Sequence, residues 1–139
     1  MKRDILLDTG PLVAFLNRRD EYHTWVSRQW KQVAPPLHTC EAVLSEAHFL
    51  LGESRGSGDA VMQLLERGVI DLPFHLEDHV QPVKKLLAKY HSVPMSMADA
   101  CLVRMSEEHP SSHILTLDSD FNLYRRHGRR VIPTIMPTN

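Results

Sequence analysis

The chain has 139 residues, enough for one domain with a sizeable core. It is 42% hydrophobic and 24% charged, with a formal net charge of -1, so no overall basic field draws in nucleic acid and any such contact needs a local patch. No run approaches the roughly 20 apolar residues that span a bilayer, which excludes a membrane-spanning class and makes the cytoplasm the expected location.

The basic start Met1-Lys2-Arg3 is not expected to act as a signal peptide. Asp4 and Asp8 interrupt the apolar stretch and no small-residue cleavage site follows. Ile5-Leu6-Leu7 reads as a buried strand that ends in the turn Asp8-Thr9-Gly10-Pro11. Pro11 suits the first turn of a helix carrying Leu12, Val13, Phe15 and Leu16. A second helix follows from Tyr22, Trp25, Val26 and Trp30, with Asp20 as its start signal. Its two tryptophans belong either to the core or to an interface.

Pro35-Pro36 breaks the chain. Leu37-His38-Thr39 is a short strand candidate, and Thr39 is the expected cap of a helix burying Val43, Ala47, Leu50 and Leu51. Residues 52–58, rich in glycine and serine, form a loop without the Lys-Ser/Thr ending of a phosphate-binding loop. A short helix from Asp59 is stopped by Gly68, and Val69-Ile70-Asp71-Leu72 is the next strand. Val80, Val83, Leu87 and Tyr90 share a helix that Pro82 delays or kinks. Ser96-Met97-Ala98-Asp99 is a capping box opening another helix. His113 to Leu117 is a strand ending at Asp118, and Val131-Ile132 is the last expected strand. This alternation predicts one α/β domain over residues 1–139, with a mostly parallel sheet covered on both faces. Cys40 and Cys101 fall inside regular elements and are expected as reduced, partly buried thiols, with a bridge between them left open.

Four acids stand where strands end or helices begin: Asp8, Glu46, Asp99 and Asp118. In a parallel sheet these places converge on one edge, where ligands bind. Converging carboxylates repel one another, and the simplest counter-charge is one or two hard cations, Mg²⁺ or Mn²⁺. Metal-assisted phosphodiester cleavage is the chemistry such a site supports. Glu41 and Glu46 point about 140° apart on their helix. Glu46 borders the apolar stripe and is expected to look inward, whereas Glu41 serves the helix dipole. Each acid also has a bland role: Asp8 as a helix cap, Asp99 as part of the capping box. Asp120 either caps a short helix or holds a second metal. Thr9 and Thr116 are placed to orient carboxylates. Arg125, Arg126, Arg129 and Arg130 are the candidates for phosphate contacts, with Arg18, Arg19 and Arg55 behind them. His75 and His79, four apart, lack a third ligand for zinc.

The run Asp8-Thr9-Gly10-Pro11-Leu12-Val13, then Thr39 and Glu46, then Ser96-x-x-Asp99-Ala100, then Thr116-Leu117-Asp118-Ser119-Asp120-Phe121 resembles the PIN-domain ribonucleases. Within them it is most similar to the VapC-type toxins of bacterial toxin–antitoxin pairs. The resemblance spans essentially the whole chain. It implies a PIN-like α/β/α sandwich and Mg²⁺- or Mn²⁺-dependent cleavage of an RNA substrate. It also implies Asp8, Glu46, Asp99 and Asp118 as the catalytic acids, a homodimer, and a cognate antitoxin protein. The rival reading is a non-catalytic RNA- or protein-binding module on the same fold. A phosphoacceptor signalling domain is disfavoured because Thr9 follows Asp8 and no lysine follows Lys89.

Overall fold

The computed structural model describes residues 4–52 and 59–138; the segment 53–58, including Arg55, and the termini 1–3 and 139 lie outside the described residues. The chain begins with β1 (Ile5–Leu7), three consecutive buried residues, as befits a strand covered on both faces. Helices α1 (Thr9–Leu16) and α2 (His23–Lys31) follow, with Phe15 stacked on Trp30 at 3.8 Å between ring centroids. The Trp25/Trp30 helix thus packs on the core, with both indoles partly buried. Then come β2 (Leu37–His38), α3 (Glu41–Leu51), α4 (Ala60–Glu66) and β3 (Ile70–Asp71). Gly68 closes α4 with a φ of 72°, and Val69 N–H returns to Leu64 O as in a Schellman cap.

A single 3₁₀ turn, Leu76–His79, feeds α5 (Val80–Lys89). Pro82 lies in the first turn of α5, where its missing N–H has no helical acceptor to lose, so the helix begins there and is not broken. Helix α6 (Met97–Glu108) is the most buried helix and leads to β4 (His113–Leu115). A 3₁₀ turn at Ser119–Asn122 precedes the hairpin β5 (Arg125–Arg126) and β6 (Arg130–Val131), and β7 (Thr134–Ile135) completes the chain.

Five strands form one parallel sheet in the order β3-β2-β1-β4-β7, with Leu6 opposite both His38 and Ile114. Helices cover both sides, giving the α/β/α sandwich expected from the sequence. Because every strand of this sheet runs the same way, all carboxyl ends lie on one edge. Strand order reverses between β1 and β4, so a crevice opens beyond those two strands. No helix among the described residues is long and apolar enough to cross a membrane.

Several local expectations are corrected. The cap of α3 is Cys40; Thr39 instead donates its hydroxyl to Leu7 O, tying β2 to β1. Leu50 is exposed, and the buried face of α3 is Val43, Leu44, Ala47 and Leu51. Asp20 holds the turn before α2, accepting from Tyr22 N–H, and the helix starts at His23. Arg130 and Val131 belong to the hairpin, while the sheet gains Thr134–Ile135, which sequence reading missed. Cys40 and Cys101 are both buried free thiols.

Candidate active site

Asp8 leaves β1 at the point where strand order reverses, and it is only 6% exposed. It caps α1: Oδ1 accepts from Thr9 N–H at 2.8 Å. Its Oδ2 accepts from the Thr116 hydroxyl at 2.7 Å, across the β1–β4 pair. That hydroxyl in turn accepts from Asp118 N–H at 2.9 Å, so Thr116 links two of the four acids. Thr9 donates its hydroxyl to Glu46 Oε2 at 3.0 Å, bringing α3 to the same place. Each threonine hydroxyl thus bonds to a carboxylate.

Asp99 enters from the first turn of α6. Its N–H donates to Ser96 Oγ at 3.0 Å and its Oδ2 accepts from Ser96 N–H at 3.3 Å, completing the capping box. A third bond was not legible in sequence: the Tyr124 hydroxyl donates to the same Oδ2 at 2.9 Å. Tyr124 is fully buried, wedged edge-on between Tyr90 and Phe121 at centroid separations of 5.0 and 5.2 Å. Capping and site membership are therefore compatible in Asp99. The Ser96 N–H and the Tyr124 hydroxyl both bond to Oδ2.

Asp118, Asp120 and Glu46 complete a cleft of about 580 Å³ with Asp8 and Asp99. Asp118 caps the short 3₁₀ turn, accepting from Asp120 N–H at 2.9 Å, so the cap is not Asp120, for which capping is one of the two roles its sequence position allows. Glu46 is exposed to the cleft and does not look into the core. It stands beside Val43 and Ala47 on the helix and reaches the site through Thr9.

Burial pushes the Asp8 carboxyl up to about 6; the bonds from Thr116 and Thr9 pull it down, and the charges of Asp99 and Asp118 push it further up. Asp99 is raised for the same first reason, burial, with Tyr124 and Ser96 opposing and Asp118 adding repulsion. The acids thus sense one another's charge and are held at a cost in the free protein.

This donor set suits a hard divalent cation, since every candidate ligand is a carboxylate oxygen. Among the described residues, no three His, Cys, Asp or Glu side chains stand close enough together to enclose an ion by themselves. Mg²⁺ does not need such a cage, because it binds through one or two carboxylates and keeps water or phosphate oxygens in its remaining positions.

The four candidate arginines separate. Arg126 is turned inward, 8% exposed, and donates to Ser106 O, His109 O and Pro110 O at 2.8–3.1 Å. Its guanidinium is spent on the end of α6 and is not presented to a substrate. Arg125 donates to Asn122 O and Tyr124 O. Arg129 and Arg130 are exposed on the hairpin, as are Arg18 and Arg19 before α2. His79 is not a plain surface residue: it accepts from Arg104 Nε at 3.1 Å and stacks on Phe74.

No curated protein sequence matches this chain. Among solved structures, the fold is similar to Mycobacterium tuberculosis VapC20, described as a toxin cleaving the sarcin–ricin loop. The TM-score is 0.77 at 21% identity, covering 94% of this chain and 100% of that one. It is also similar to VapBC2 from Rickettsia felis, solved bound to a DNA fragment from its promoter. There the TM-score is 0.63 at 11% identity, covering 96% and 98% of the two chains. The sequence itself matches the PIN domain family over residues 5–126, which takes in β1 through β5 and all five acids of the cleft. This chain belongs to the PIN domain family.

Proposed function

We propose that the chain is a metal-dependent endoribonuclease that hydrolyses RNA phosphodiester bonds, acting in the cytoplasm as the toxin of a toxin–antitoxin pair. The observation that carries the chemistry is Asp8, a buried carboxylate at the sheet's switch point, destabilised by burial and by Asp99 and Asp118. Family membership and the likeness in fold to a VapC toxin support the substrate class. The likeness to a VapBC assembly supports a cognate antitoxin partner, and the resemblance in sequence supports a homodimer.

In this reading Asp8, Glu46, Asp99 and Asp118 hold one or two Mg²⁺ or Mn²⁺ ions, with Asp120 as a further ligand. A bound ion supplies Lewis acidity, offsetting phosphate charge and acidifying water. The protein's own part is positional. Thr116 and Thr9 fix the rotamers of Asp8 and Glu46, and Tyr124 with Ser96 fixes Asp99. A cleft carboxylate accepts the proton of the attacking water. Arg129 and Arg130 supply cations that the acidic cleft lacks.

Incubation of purified protein with mixed cellular RNA, in Mg²⁺, in Mn²⁺ and in EDTA, tests the proposal beside an Asp8→Asn variant. Cutting at discrete sites is expected only with metal and only for the unaltered chain. Cutting that survives Asp8→Asn would place the chemistry elsewhere. No cutting together with no Mn²⁺ binding by calorimetry would make the chain a binding module.

A further inference from the structure

A second groove lies between α5 and the turn of the β5–β6 hairpin. It encloses about 520 Å³, with Pro82 and Leu86 on its floor and Lys85, Lys89 and His127 on its walls. Lys85 and Lys89 are four residues apart and share one face of α5. The one acid lining it is Glu107, and that carboxylate is already engaged. Its Oε1 accepts from Arg104 at 3.3 Å and its Oε2 from His127 N–H at 2.7 Å. Exposed Arg129 and Arg130 extend the same positive field along the hairpin. The cations lining the groove are Lys85 and Lys89, the latter also donating to Gly128 O at 3.0 Å.

His127 is the second observation. Its φ is 48°, and Gly128 follows at 80°; Arg129 N–H closes the turn onto Arg126 O at 3.0 Å. This is the geometry of a type I′ turn, whose first central position favours Asn, Asp or Gly. A histidine tolerates that position less well than glycine does. His127 is exposed and lines the groove with the two lysines.

The groove also has a fixed relation to the cleft. Tyr90, which ends α5, packs edge-on against Tyr124, the residue that holds Asp99, and the Tyr90 hydroxyl accepts from Arg125 N–H at 2.9 Å. The Tyr90–Tyr124 pair thus links the end of the groove's helix to Asp99 of the cleft. We propose that this groove takes the phosphodiester backbone of a single RNA strand whose neighbouring nucleotides reach the acidic cleft. The ligand class rests on the ribonuclease reading above. Cations beside an apolar floor and an aromatic ring fit a strand that presents alternating phosphates and bases. The carboxylates of the cleft repel that strand, so it needs anchoring outside them.

The test is fluorescence anisotropy of a short fluorescein-labelled single-stranded RNA of mixed sequence, titrated in EDTA so that nothing is cut. The variants are Lys85→Gln, Lys85→Arg and His127→Asn, with thermal melting alongside. Lys85→Gln is expected to weaken binding on the order of several-fold and to lower the slope of log affinity against log salt by about 0.7. Lys85→Arg keeps the slope. His127→Asn weakens binding while its melting temperature is unchanged or higher, since Asn suits the left-handed position. Unaltered affinity and slope in Lys85→Gln and His127→Asn would overturn the proposal, and so would an unaltered chain that binds no RNA. An acidic peptide as the natural occupant would give that same flat result. Cleavage assays separate the two readings. A chain that never cuts RNA, yet binds it through Lys85 and His127, keeps the groove and loses the ribonuclease. A chain that cuts, with groove variants that bind and cut as well as the original, keeps the ribonuclease and loses the groove.

Discussion

Two buried charges in this molecule have opposite fates. Arg126 and Asp8 are almost equally sequestered, 8% and 6% exposed; Arg126 comes from the small hairpin and Asp8 from the end of the central strand. Arg126 is surrounded mostly by complements, although burial and the neighbouring Arg130 push its guanidinium down. Its forked guanidinium donates to Ser106 O from both Nε and Nη2, and Nη2 reaches His109 O and Pro110 O as well. These are carbonyls at and beyond the negative end of α6, where a cation belongs. Asp8 accepts two hydrogen bonds but faces Asp99 and Asp118, like charges that its surroundings do not neutralise. A buried charge with complete partners is architecture. One kept among its own sign is stable only when a ligand arrives.

The comparison predicts that removing each charge has opposite signs for stability. Arg126→Ala strips several charge-assisted bonds from Ser106 O and Pro110 O, while His109 O keeps its bonds from Ser112, a loss of about 3 kcal/mol. Thermal melting is expected to fall by roughly 10 °C. Arg126→Lys recovers only part, because a single ammonium does not reproduce the planar fork. Melting that barely moves in Arg126→Ala would erase the contrast.

Asp8→Asn is expected to stabilise the metal-free protein at neutral pH. The folded pKa of Asp8 stands at about 6, against 3.8 for the unperturbed group. Between those values the folded state holds a proton that the unfolded state has released, so stability falls as pH rises through that window. The full loss above pH 6 is about 3 kcal/mol. Asp99, raised by burial, adds to the same trend. Melting temperatures in EDTA, followed from about pH 4 to about pH 7, should decline more steeply for the original chain than for Asp8→Asn. The variant should also lose Mn²⁺ binding. Equal slopes would mean that Asp8 is not strained.

The contrast also explains what was legible in the sequence. Asp8, Asp99 and Asp118 were readable because each closes an apolar strand or opens a capped helix, both local signals. The parallel sheet followed from alternating strands and helices. Arg126 was misread as a phosphate contact because its acceptors lie 16 to 20 residues away, at a helix end that only the fold brings near. Tyr124 was silent for the same reason, since its bond to Asp99 spans 25 residues. Strand β7 escaped because it has two residues, follows Pro133, and takes its place through Thr116 N–H donating to Ile135 O. Glu46 was found for an inexact reason: it borders the apolar face, yet what matters is that Thr9 lies within its reach.

The smallest effect concerns how the protein holds Asp8 ready. Thr116 is fully buried, and its hydroxyl both donates to Asp8 Oδ2 and accepts from Asp118 N–H. The donated bond is the largest influence pulling the Asp8 carboxyl down against its burial. Thr116→Val keeps the shape and removes that bond. It should raise the Asp8 pKa further, and with it the pH at which Mn²⁺ begins to bind, because the ion competes with a proton for the same oxygen. It also leaves Asp118 N–H without its acceptor, a cost of about 1 kcal/mol in melting. Thr116→Ser, which retains the hydroxyl, should restore the original pH midpoint for Mn²⁺ binding even if packing suffers from the lost methyl. That separation identifies the hydroxyl's work as electrostatic. If Val and Ser shift the midpoint alike, Thr116 acts by filling space, and the strain on Asp8 is set by burial alone.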